Sequence, residues 1–122
     1  MTELHRDSMP TLRRPDGELD RDLFRALMNR YGALLQEGRA RDADEVLKDT
    51  KRVLCADMTE GENPEFYASL AHLYDGLAEV REAEVQAVPG SSRADVARGE
   101  ADGYRRRALE AAEHAASLDT PE

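Results

Sequence analysis

The chain has no tryptophan, a single cysteine and only two lysines, Lys48 and Lys51, and its aromatic fraction is 5%. With so few large rings, a core has to be built from leucine and alanine, both strong helix formers. One cysteine excludes an internal disulfide. Cys55 falls among apolar positions of a helical stretch and is expected to act as a core filler. No stretch approaches the roughly 20 consecutive apolar residues of a membrane span, and no apolar run follows the charged N-terminal residues as in a signal peptide. A cytoplasmic location is therefore expected. The preference for arginine over lysine points to a high-GC bacterial genome.

Catalytic signatures are also missing. There is no GxSxG, P-loop, GxGxxG or HExxH. A carboxylate-bridged di-metal bundle needs Glu-x-x-His pairs on two helices, but the residues three before His72 and His114 are Ser69 and Ala111. Both histidines are expected on solvated helix surface. No metal, no cofactor and no enzymatic activity are expected.

What is present is charge and helical periodicity. The 122 residues are 40% hydrophobic and 35% charged, with a net charge of −9 and a pI near 4.8. This length suits one domain. The acidic balance repels phosphate backbones and anionic bilayers, so neither nucleic acid nor membrane is an expected partner.

Residues 1–18, with two prolines and a PDG turn signal, are read as a flexible tail ahead of one helical domain over 19–119. Four helices are predicted, at about 19–37, 41–57, 64–88 and 93–118, and no strand. The first carries Leu19, Leu23, Phe24, Leu27, Met28, Tyr31, Leu34 and Leu35 in one stripe and stops at Gly38. The second turns Ala43, Val46, Leu47, Thr50, Val53 and Leu54 inward. The third starts at Asn63-Pro64 and keeps phase through Phe66, Leu70, Leu73, Tyr74, Leu77, Val80, Val85 and Val88. PGSS at 89–92 breaks the pattern, and Ser92 with Asp95 resembles a capping box. The fourth helix carries Val96, Ala97, Ala101, Tyr104, Ala108, Leu109, Ala112, Ala115, Ala116 and Leu118, and its alanine-rich face allows a neighbouring helix to approach closely. Short connections make successive helices antiparallel. The expected fold is thus all-α: four antiparallel helices as two helical hairpins, either tetratricopeptide-like or a four-helix bundle.

The segment LAHLYDGLAEVREAE, Leu70 to Glu84, resembles the tetratricopeptide repeat in its kinesin-light-chain version. Tyr67, Leu70, Ala71, Tyr74 and Ala83 match motif positions, whereas Ala78 stands where the family turn usually has glycine. The second-helix pattern recurs in EADGYRRRAL through Ala101 and Ala108, with Tyr104 one position early. From Ala83 to Ala101 is 18 residues, or about five helical turns. That spacing predicts a straightened ancestral turn and a lengthened hairpin. YGALLQEGRARDADEVL resembles the same family through Gly38, Ala43 and Leu47, although Arg30 replaces the usual leucine and Gly32 is one residue late.

The resemblance implies ligand binding on the concave face of first helices. By position that face includes Arg25, Met28, Leu35 and Gln36 on the first helix, and Glu65, Ala68, His72, Asp75 and Gly76 on the third. Arg105, Arg106 and Arg107 are expected to pair along their own helix with Asp102, Glu110 and Glu113. The function expected is a protein–protein interaction module for a partner peptide or helix, with a homodimer formed through surplus apolar positions on the first and third helices. A self-assembling bundle and an acidic inhibitor or antitoxin-like protein are the alternatives.

Overall fold

Asp20 opens the first helix. In the computed structural model, which describes residue 12, residues 19–57 and residues 64–119, its side chain accepts the Leu23 N–H at 3.1 Å. This satisfies one of the donors that a helix start leaves unpaired. Helix α1 then runs Arg21–Gln36, α2 Ala40–Asp57, α3 Pro64–Ala87 and α4 Ser92–Asp119. No strand element occurs among the described residues, and the chain is all-α, built as two helical hairpins.

The turns follow from the sequence chemistry. At the end of α1 the Gly38 N–H bonds Leu35 O and the Arg39 N–H bonds Leu34 O, with Gly38 at φ +79°. This is a Schellman stop. Between α3 and α4, Pro89 is followed by Gly90 at φ +81°, and the Ser91 N–H bonds Val88 O. Proline then positive-φ glycine is the signature of a type II turn. The N-cap of α4 is Ser91, not Ser92: its Oγ accepts the Ala94 N–H at 3.0 Å. Asp95 is therefore one residue too late for a capping box and instead pairs with Arg98 at 3.1 Å. The predicted Asn63 cap lies outside the described residues.

Packing runs between successive helices, α1 on α2, α2 on α3, and most extensively α3 on α4. The α1, α2 and α3 stripes meet in one cluster around Leu34, Leu47, Leu54, Phe66, Leu73, Leu77 and Val80. Each fully buried leucine contributes about 2 kcal/mol of hydrophobic transfer. Thr50, also fully buried, donates its hydroxyl to Val46 O at 2.6 Å, so no polar atom is stranded there. Leu12, from the stretch read as tail, is fully buried in this cluster, and its carbonyl accepts the Asp20 N–H at 2.8 Å.

α3 is uninterrupted through Ala78, as the lengthened hairpin requires. Against it α4 presents Ala94, Ala97, Ala101, Ala108, Ala111 and Ala115, all buried, with Tyr104 half-buried in the same row. Their 3-4 alternation is the seam of an antiparallel coiled pair, and alanine lets the axes approach to the close end of the roughly 8–10 Å range. Not all the apolar residues of α4 face α3. Val96 is 62% and Leu109 59% exposed, and Ala112 and Ala116 also face out. Val88 at the end of the long hairpin is exposed too. Cys55 is exposed rather than a core filler, because the α2 face that packs is occupied by Thr50, Val53 and Leu54.

Candidate functional site

α1 and α3 lie side by side in the same direction. Arg21 binds Glu65, the Phe24 ring meets the His72 ring edge-on at 5.9 Å, and Tyr31 donates to Glu79. The partners are 44 positions apart at the first contact and 48 at the last, as parallel helices require. Beside this contact is a groove of about 350 Å³, lined by α1 and its lead-in residue Leu19, with His72 as its α3 residue. Leu19, Phe24 and Met28 give it an apolar floor, and Arg25, Asn29 and His72 supply polar groups. Arg25 is exposed and forms no ion pair among the described residues, whereas Arg21 is held by Glu65. α1 carries Arg21, Arg25 and Arg30 against Asp22 alone, which makes it a basic element on an acidic chain.

Of the positions implied by the family resemblance, Arg25, Met28 and His72 come together in this groove, with Glu65 at its edge. Leu35 and Gln36 lie at the far end of α1 and do not line it. Ala68 is exposed on α3. Asp75 is directed to α4, where it accepts from Arg105 at 2.9 Å. Gly76 is buried against Leu47 and Tyr31. Leu19, Arg21, Phe24 and Asn29 also line the groove and are not among those positions. The parallel register of α1 on α3 brings them in, and it is visible only once the helices are docked.

Two groups on or against the helices beside the groove have shifted pKa values, Tyr31 and Arg105. Burial, then the Glu79 hydrogen bond and charge, push the Tyr31 phenol well above its ordinary value, so it stays a neutral donor. Arg105 does not pair along its own helix as expected. It bridges Glu82 at 3.0 Å and Asp75 at 2.9 Å across to α3, and these carboxylates raise its pKa, the Glu82 hydrogen bond foremost. Arg107 lies over the Tyr104 ring at 5.8 Å.

Two further concavities flank α3. One of about 290 Å³ is walled by Arg81, Asp44, Glu100, Arg41 and Arg93. The Arg81 side chain is 10% exposed, and it donates to Asp44 at 2.9 Å. Its Nε lies 2.9 Å from Glu100 without an aligned hydrogen bond, so that contact is ionic only. Burial by itself would lower the Arg81 pKa; Asp44 foremost, then Tyr104 and Glu100, reverse this and raise it. The other concavity, about 540 Å³, opens between α3 and α4 at Tyr67, Tyr74, Leu70 and His114. His114 packs edge-on against Tyr67 at 4.2 Å. Both histidines are exposed, as expected, but each rests on an aromatic ring.

Among the described residues no three His, Cys, Asp or Glu side chains gather to hold a metal ion, and no helix is long and apolar enough to cross a membrane. No protein-family model matches the sequence, and it finds no match among curated proteins or solved structures.

Proposed function

We propose that the chain is a non-enzymatic interaction module that binds a peptide or helix of a protein partner in the groove along α1 at His72. The observation that carries this reading is the juxtaposition of an apolar floor at Phe24 and Met28 with Arg25, a cation without an ion pair among the described residues. An apolar anchor fits the floor, and a neighbouring carboxylate on the partner fits the guanidinium. The basic balance of α1 on a chain of net charge −9 favours an acidic segment as the ligand.

The parallel first helices, and packing between successive helices, support a tetratricopeptide-like arrangement of two degenerate hairpins. A cytoplasmic setting and a homodimeric state complete the proposal. The exposed Leu109 on the outer face of α4, between Arg106 and Glu113, neither of them ion-paired among the described residues, supports self-association.

The test is capture of the partner from native lysate at low and high salt, with wild type and with a Phe24→Ala/Arg25→Glu variant. A stoichiometric partner that survives high salt on wild type and is lost from the variant supports the groove. Equal retention on both, with unchanged circular dichroism, places the binding site elsewhere.

A further inference from the structure

Along α4 the order base, exposed apolar residue, acid occurs twice, at Arg93, Val96 and Glu100 and at Arg106, Leu109 and Glu113, but Glu100 is already engaged by Arg81. Arg106 and Arg107 stand just before Leu109, and Glu110 and Glu113 just after it. At about 100° per residue, Asp102, Arg106, Leu109, Glu113 and Ala116 share one face. Their 4-3-4-3 spacing is a second seam, separate from the alanine seam that faces α3. Leu109 is 59% exposed at its centre. Ala112 beside it is small and exposed, which leaves room for a second helix to come close. Arg106 and Glu113 are both exposed and have no ion-pair partner among the described residues, in contrast to Arg105.

We propose that two copies of the chain associate through this face, α4 against α4, antiparallel about a two-fold axis beside Leu109. A two-fold interface is isologous, so residue i of one copy meets residue j of the other, and the converse holds. Placing the axis at Leu109–Glu110 sets Arg106 of each copy opposite Glu113 of the other. The two leucines pack on the axis between the two ion pairs. A parallel alignment would instead set like charge on like, which is unfavourable. The charge order therefore selects one orientation and one occupant, a second copy of the same helix. The surface is a single helix face, smaller than the roughly 1,200–2,000 Å² of a stable complex. The dimer is accordingly expected to be reversible at micromolar concentration.

The inference rests on the homodimeric reading above and is independent of the groove along α1. It is tested by sedimentation of the full chain over a concentration series. Arg106→Glu sets a carboxylate against Glu113 of the second copy, and Glu113→Arg sets two guanidinium groups together. Each is expected to raise the dissociation constant about tenfold or more. Mixed in equal amounts, the two variants restore opposite charges on both sides of the axis, and the heterodimer is expected to return to wild-type affinity. Leu109→Asp removes the central contact without touching the core and is expected to leave the chain monomeric. A wild-type chain that remains monomeric at the highest concentration overturns the homodimer itself. A wild-type dimer that both charge variants leave unchanged keeps the homodimer and overturns this face.

Discussion

Gly76 lies under Leu47: a Cβ added to this glycine would stand 3.0 Å from Leu47 Cδ2 and 3.2 Å from Tyr31 Cζ. The missing side chain is what lets α3 settle on α2 and α1 together. Glycine in a helix costs about 1 kcal/mol relative to alanine. Gly76→Ala would recover that but must displace a fully buried leucine and a buried ring, for which overpacking costs about 1–3 kcal/mol. The net expectation is a loss of about 1 kcal/mol in urea denaturation. Gly103→Ala, where nothing lies within 4 Å, is the control, and it is expected to gain about 0.5–1 kcal/mol.

Arg81 ties three helices, through Asp44 on α2 and Glu100 on α4. Asp44→Ala leaves its buried guanidinium with the ionic contact to Glu100 and the face of the Tyr104 ring, and the expected loss is about 2–3 kcal/mol. Adding Arg81→Met removes the charge that was stranded, and most of the loss should return. Thermal or urea unfolding of both single variants and the double closes the cycle. Simple additivity would mean that the pair does not act as a unit.

The raised Tyr31 pKa has a definite sign. The fold holds the protonated phenol, whereas the unfolded chain releases its proton near pH 10. This contribution is complete below pH 10 and is lost as pH rises above it, because the unfolded state then binds fewer protons. Tyr31→Phe should lower stability by about 1 kcal/mol at neutral pH through the lost Glu79 hydrogen bond. It should also flatten the alkaline limb of the stability profile. An unchanged alkaline slope in the variant would assign that limb to another group.

Cys55 is exposed in the native chain. One equivalent of a thiol reagent should label it without denaturant and without loss of helical circular dichroism. Labelling that appears only in urea would contradict its position on α2.

The fold was legible where local chemistry decides the outcome. Gly38, Pro64 and the Pro89–Gly90 turn fix the ends of helices through backbone conformation alone, and the periodic stripes of α1, α2 and α3 name most of the core. α4 was harder to read, because it is rich in alanine and alanine fits either face. Only the 3-4 alternation that includes Ala94 and Ala111 separates the buried row from Ala112 and Ala116. The groove was partly legible. Arg25, Met28 and His72 follow from family positions, but Leu19, Arg21, Phe24 and Asn29 depend on the register of α1 against α3, and Asp75 was diverted by an arginine from a helix further along the chain.

Packing between successive helices also sets an order of loss. Contacts between neighbours in the chain are local, and such topologies fold rapidly. The α3–α4 pair is joined most extensively, whereas α1 is held by α2 and by a few side chains reaching α3. Amide hydrogens of α1 should therefore exchange through small openings long before those at the alanine seam. Most of the ligand groove then belongs to the least protected helix, and its His72 edge to a helix of the most protected pair.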